Sequence, residues 1–490
     1  MGKRINEARG EVRCSADILA YYAKHADAFL VPTKLHPKVG EAHTECSPLG
    51  VPFCVEPWNF PYYQLARVAG PQLMAGNRLV VKHAGCVPQC AIAFERLLLD
   101  AGAPVGAYTN LLISYEQSDR VIDDPRIKGV ALTGSVSAGH SVAARAGQNL
   151  KKSTMELGGS DAFIVLDDAD IDQAIPWAVC GRMYNSGQTC CAAKRCIVLE
   201  KIAEPFLAKF KAALEALKPG DPMEETATHG PLSTKAAPVQ LLAQVDAAVK
   251  GGPMLLMGGQ RIDLPGWFMQ ATILTDIQPG NPAIRDEFFG PVVSFYRVKT
   301  EAEAIALAND SDFGLGGSVW TRDEARGKRV ASRVDTGMMF VNNLDWADAD
   351  LAMQGTEARF GHIDVLVNNA GIGYFAAVEE SEEDEVCKMF DINVFGTGRM
   401  LRAVLPGRPG TGRPRAQCQG HRPSGGVGSA AAPPSAGQRY LGRCDGQAYP
   451  LTRGLRGGRR CRAGGGLPEA QSRRFGLTAT NLQGPLRSAA

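Results

Sequence analysis

Residues 153–196, STMELGGSDAFIVLDDADIDQAIPWAVCGRMYNSGQTCCAAKRC, constrain the fold more than any other stretch of this chain. The segment opens on Glu156-Leu157-Gly158-Gly159, a carboxylate just ahead of paired glycines. An apolar run at 162–166 reads as a buried strand, and the acids of 167–172 mark the start of a helix. The segment ends at Gly187-Gln188-Thr189-Cys190-Cys191, a glycine turn that presents a thiol. A thiol and a carboxylate this far apart in sequence can still face each other across one cleft. Together they supply a nucleophile and a base for two-step acyl chemistry.

The rest of the chain places that segment in an ordinary protein. A length of 490 residues calls for two or more domains, and 45% hydrophobic with 21% charged residues is the balance of a soluble globular chain. A formal net charge of +2 gives no reason to expect nucleic acid or a membrane surface as partner. No apolar run approaches the roughly 20 residues of a membrane helix, and the polar start MGKRINEARG has no secretory core. Thirteen cysteines without a CxxC pair fit reduced thiols in a cytoplasmic protein. No residues show metal-ligand spacing, and the eight histidines are scattered. Residues 4–30 read as one amphipathic helix whose apolar face carries Ile5, Ala8, Val12, Ala16, Leu19, Tyr22 and Ala23.

With E-L-G-G at 156–159 followed by N-S-G-Q-T-C at 185–190, residues 1–348 resemble the aldehyde dehydrogenase superfamily. The wording TMELGGSDAFIVLDDAD and VVKHA is nearest to the bacterial succinate-semialdehyde dehydrogenases. The resemblance implies an α/β fold: a Rossmann-type cofactor domain at 1–155 and an α/β catalytic domain at 156–348. Family members begin well ahead of the segment matched by residues 4–30, so both ends are expected to be truncated.

The same resemblance assigns roles. Cys190 is the nucleophile, Glu156 the base that activates water for deacylation, and Asn59, in the string LGVPFCVEPWNFP, the oxyanion donor. Trp58 lies on the cofactor side, Lys82 binds the adenosine ribose, and Gly134 and Ser135 open a helix beneath the pyrophosphate. Glu287 holds the nicotinamide ribose, with Phe289 beside the nicotinamide. Arg67 corresponds to an arginine that grips the distal carboxylate of succinate semialdehyde. Tyr184 stands six residues before the thiol, where some members carry a second arginine. Gly85 stands where NAD-preferring relatives often carry Glu, so no carboxylate repels a 2′-phosphate. The cofactor is therefore NAD or NADP, and the substrate a small aldehyde. A homo-oligomer is the family's habit, but its oligomerisation strand and substrate loop have no counterpart after Leu351.

Residues 358–405 differ. Asp364-Val365-Leu366-Val367-Asn368-Asn369-Ala370-Gly371 and Asn393 resemble the central strand and helix asparagine of short-chain dehydrogenases. That family's dinucleotide turn and Ser-Tyr-x-x-x-Lys set are both missing. From Pro406 onward the chain has no lysine, only Asp445 and Glu469 as acids, and no hydrophobic periodicity. Such a segment is expected to be disordered, an out-of-frame tail on a gene fusion of two dehydrogenases. The domain expectation is thus 1–155, 156–348, a short-chain dehydrogenase-like piece at 349–405, and a tail at 406–490. The alternatives to an active aldehyde dehydrogenase are a non-catalytic fusion product that keeps the motifs, and a short-chain reductase.

Overall fold

Strand and helix alternate along most of the chain and build two largely parallel sheets flanked by helices. The structure is a computed structural model that describes residues 1–344, all within the unit Met1–Pro406. The expectations for residues 349–405 and 406–490 lie outside the described residues.

Helix α1 (Ile5–Phe29) leads into an antiparallel ribbon of β1 (Thr33–Leu35) and β2 (Ala42–Thr44). Then come β3 (Val51–Glu56), α2 (Tyr63–Met74), β4 (Leu79–His83), α3 (Pro88–Asp100) and β5 (Tyr108–Asn110). The chain crosses back through α4 (Tyr115–Asp123) to β6 (Ile127–Thr133), α5 (Val136–Gln148) and β7 (Lys152–Glu156). These five strands are parallel in the order β5-β4-β3-β6-β7. The direction of winding reverses at β3, so the carboxyl ends of β3 and β6 flank a topological switch point, where α/β sheets bind their ligands.

A second sheet follows: β8 (Asp161–Val165), α6 (Ile171–Met183), β9 (Ala193–Leu199), α7 (Glu200–Glu215), α8 (Ala236–Lys250), β10 (Met254–Met257) and β11 (Thr272–Thr275). It is completed by β12 (Val292–Val298), α9 (Glu301–Asn309), β13 (Gly317–Trp320), α10 (Glu324–Ala331) and β14 (Phe340–Val341). The order is β10-β11-β12-β9-β8-β13-β14, parallel except for β10. Every residue of β8 and β9 is buried, as expected of central strands covered on both faces. Phe163 and Val165 join Phe206, Phe295 and Trp320 in one core, while Ala162 and Ile164 join Ile197, Ala304 and Val319 in the other. Period-2 alternation along one strand thus feeds two cores, each large side chain contributing about 1.5–3 kcal/mol of burial. Among the described residues no helix is long and apolar enough to cross a membrane.

Helix α1 corrects one expectation. Its length is as read, but its buried face is Glu7, Glu11, Ser15, Ile18, Tyr21 and Ala26, while Val12 is half exposed. The two carboxylates go inside because they satisfy backbone donors that would otherwise be orphaned. Glu11 Oε1 accepts from the N–H of Tyr62 (2.7 Å) and Tyr63 (3.2 Å) at the start of α2, and Lys3 pairs with its other oxygen. Glu7 Oε1 accepts from Asn185 N at 3.1 Å. The helix therefore braces two segments of the site described next.

Candidate active site

The thiol is carried by a backbone that few sequences adopt. Asn185 (φ 52°), Ser186 (φ 56°) and Gly187 (φ 77°) are three left-handed residues in succession. For the two non-glycine residues this costs of order 1 kcal/mol each. Gly187 is required: a Cβ there would lie 2.4 Å from the Gly290 carbonyl oxygen. The turn is held from every side. Asn185 Nδ2 donates to the Asn59 carbonyl at 3.1 Å, Ser186 Oγ to the Gly230 carbonyl at 2.8 Å, and Gln188 Nε2 to the Asn185 carbonyl at 2.9 Å. Buried Arg182 donates from one nitrogen to the carbonyls of Gly187 and Gly290, both at 2.7 Å, tying the turn to the loop that carries Glu287.

Cys190 follows this turn, half-buried. A hydrogen bond from the Cys191 side chain, then the charges of Lys194 and Arg67, outweigh burial and bring its thiol down from 9 to about 7. Burial does the opposite elsewhere, pushing Cys180 up to about 11 and Cys54 and Cys196 well above the ordinary range. Cys190 is thus held in surroundings that favour its thiolate, whereas burial disfavours the charged form at Cys180, Cys54 and Cys196.

The other sequence-derived residues gather around it. Asn59, just past β3, is buried, and its Nδ2 donates to the Gln188 carbonyl at 3.1 Å, which leaves a second amide hydrogen. Glu156 closes β7 and pairs with Arg67 of α2, whose NH1 lies 3.4 Å from Oε2; no hydrogen bond among the described residues joins Glu156 to the thiol. Arg67 NH2 also donates to Thr133 Oγ1 at 3.2 Å. Tyr184, in the place of a second arginine, stacks on Phe60 with centroids 5.9 Å apart.

The remaining residues form a second group. Trp58 meets Phe289 edge-on, centroids 5.8 Å apart. Glu287 Oε1 accepts from the Gly159 N–H at 3.1 Å and from Lys194 Nζ at 2.9 Å. Ser135 is the N-cap of α5, accepting from the Ala138 N–H, and Gly134 N donates to the Glu156 carbonyl at 2.9 Å. The exposed first turn of α5 at the switch point suits a phosphate. Lys82 ends β4 with its ammonium 4.7 Å above the Tyr115 ring. Lys82 itself is buried, and a Cβ at Gly85 would meet nothing within 4 Å, so the space at Gly85 is open. A helix N-terminus, the open position at Gly85 and the Trp58–Phe289 aromatic pair fit a dinucleotide.

Sequence reasoning missed three residues here. Glu56, at the end of β3, is buried, and burial pushes its carboxyl up to about 8 against the pull of nearby Arg67. Arg182 and Lys194 are fully buried cations. The available signal was a charge inside an apolar string: Glu56 in FCVEPW, Lys194 in AAKRCIV and Arg182 in AVCGRMY.

With this geometry, comparison with known proteins is decisive for the class. Residues 1–361 match the model of the aldehyde dehydrogenase family, and the chain belongs to that family. It is 46% identical over 357 residues to succinate-semialdehyde dehydrogenase [NADP(+)] of Deinococcus radiodurans, covering 73% of this chain and 75% of that one. Among solved structures it resembles succinic semialdehyde dehydrogenase of Streptococcus pyogenes in complex with NADP+ (46% identity, TM-score 0.69, 70% of this chain and 75% of that). It also resembles Gox0499, from a structure concerned with cofactor and substrate selection (55% identity, TM-score 0.69, 70% and 75%). Residues 317–413 match the short-chain dehydrogenase model as well. The first part of that match is structural here: β13 pairs with β8 and β14 in the second sheet.

Proposed function

We propose that this chain oxidises succinate semialdehyde to the dicarboxylic acid, using NADP or NAD, through a thioester on Cys190. The observation that carries the reading is the thiol itself, brought down to about 7 on a strained turn that also buries Asn59 beside it. The thiolate of Cys190 bonds to the aldehyde carbon and makes a thiohemiacetal. The carbonyl oxygen becomes negative as it does so. The second amide hydrogen of Asn59 and the backbone N–H of Cys190 would receive that charge. A bound nicotinamide would supply the two-electron acceptor for the hydride on the same carbon, and Cys190 would then carry the acyl group as a thioester. Glu156 then takes a proton from the water that attacks the thioester, and the acid departs as the Cys190 thiolate is restored.

Lys82, Ser135, Glu287 and the Trp58–Phe289 pair are the residues that would hold the dinucleotide. The open space at Gly85 supports acceptance of a 2′-phosphate, since it offers no carboxylate to repel one, and the relatives named above as NADP enzymes agree. Arg67, paired at 3.4 Å with Glu156, supplies the positive charge that a distal carboxylate needs.

The test is a steady-state assay of the 490-residue protein with succinate semialdehyde and with butanal, each with NADP and NAD. The reading expects kcat/KM to favour succinate semialdehyde and NADP. Arg67→Met should raise KM for succinate semialdehyde about tenfold or more, the loss of one charged hydrogen-bonded contact, and leave KM for butanal within about twofold. Equal use of both aldehydes by the parent, or an equal rise of KM for both in Arg67→Met, would remove the dicarboxylate assignment, whereas a loss of kcat shared by both reflects the contacts of Arg67 with Glu156 and its charge near Cys190.

A further inference from the structure

Lys194 lies four residues after the thiol, in a strand whose every residue is buried. A lysine in such a place is costly unless its ammonium is fully partnered. Here Nζ donates to the carbonyl oxygens of Gly159 (2.7 Å), Thr189 (2.9 Å) and Cys190 (2.7 Å), and to Glu287 Oε1 at 2.9 Å. These acceptors come from three separate loops: the turn after Glu156, the thiol's own loop, and the loop leading into β12. Neighbouring Arg195 is also buried, yet among the described residues its hydrogen bonds go to the carbonyls of Ser160, Leu307 and Ala308 rather than to the thiol loop.

We infer that Lys194 is a positioning residue for the nucleophile. Its ammonium fastens the thiol loop to the Gly158-Gly159 turn and to Glu287, and its charge favours the ionised form of Cys190. The inference rests on the proposed role of Cys190. The groups that act on that thiol are Cys191 on its own loop, Lys194 on β9 and Arg67 on α2. Each cation has an acid of its own: Glu287 for Lys194 and Glu156 for Arg67. The Arg67 pair is long and a quarter to a half exposed, so solvent screens it. Lys194 is 1% exposed, where a charge acts through a lower effective dielectric.

The experiment is the rate of iodoacetamide alkylation of Cys190 in the full chain as a function of pH, read by peptide mass spectrometry. In the parent the rate should rise with a midpoint near 7. Lys194→Gln retains N–H donors for the carbonyls but carries no charge. Its midpoint should move up by about one pH unit, slowing alkylation at pH 7 about fivefold, and Lys194→Arg should return it close to the parent. An unchanged midpoint in a folded Lys194→Gln protein overturns the inference. Should that variant fail to fold, Glu287→Gln answers instead: the ammonium, no longer neutralised, should pull the midpoint below the parent's. A midpoint equal to or above the parent's then overturns it. If Cys190 in the parent is labelled no faster than Cys180 or Cys191, the nucleophile reading falls and takes this inference with it.

Discussion

Cys190→Ser should lower succinate-semialdehyde oxidation by about 10,000-fold or more while leaving the fold intact, because the covalent route has no second entrance. A serine hydroxyl stays protonated at neutral pH, and no base among the described residues is hydrogen-bonded to position 190 to deprotonate it. The thiol in that place is brought down by the Cys191 hydrogen bond and the charges of Lys194 and Arg67, which favours the thiolate. The vicinal residue gives the contrast. Cys191→Ser keeps a side-chain donor toward Cys190, and its cost should stay within about tenfold, the worth of one altered hydrogen bond. Steady-state rates of the two variants check this directly. Comparable losses in both would mean that the pair works as a unit.

The second large effect is on stability. Glu56 has an ordinary value of 4.5 and is pushed up to about 8 by burial, opposed by Arg67. Between those two values the folded protein holds a proton that the unfolded chain has released. Stability contributed by this group is therefore fully present below about pH 4.5 and is lost as pH rises towards 8. The slope approaches about 1.4 kcal/mol per pH unit inside that window, so the accumulated loss is a few kcal/mol. Glu56→Gln removes the titration and keeps the shape. The variant should match the parent near pH 5 and exceed it by a few kcal/mol at pH 8, measured by urea denaturation at both values. A variant less stable than the parent at pH 8 would show that the carboxylate is ionised and held by Arg67. The position suits such a coupling. Val55 is opposite Leu132, and Thr133 is opposite Glu156, so Glu56, Thr133 and Glu156 end three adjacent strands side by side.

Much of this was legible in the sequence because local pattern and tertiary role agree. The apolar run at 162–166 became β8, Asp170 caps α6, and the glycine at 187 stands where the turn requires a positive φ. Glu156, Asn59 and Cys190 stood out through their motifs, and in the structure Asn59 bonds to the thiol turn at Gln188 while Glu156 pairs with Arg67, whose charge acts on Cys190. What stayed hidden was polar burial. Glu7 and Glu11 lie off the apolar face read for residues 4–30, yet they go inward because Asn185, Tyr62 and Tyr63 have backbone N–H groups to satisfy. Lys194 and Arg195 interrupt an otherwise apolar strand, and only the fold reveals the carbonyls that receive them. Hydrophobic periodicity assigns every charge to the outside. The exceptions are set by backbone groups far away in sequence, which no window along the chain can see.

The central claim is that oxidation passes through a thioester on Cys190, and Glu156→Gln tests it most directly. The variant keeps the nucleophile and the oxyanion donors but loses the base that activates water. Mixed with succinate semialdehyde and NADP, it should give one rapid equivalent of reduced cofactor, followed by slow turnover. Acid quenching within that first turnover, then peptide mass spectrometry, should find a succinyl group on Cys190 that hydroxylamine releases. A burst of reduced cofactor with no acyl group on Cys190, or with the group on Cys191, would contradict the account.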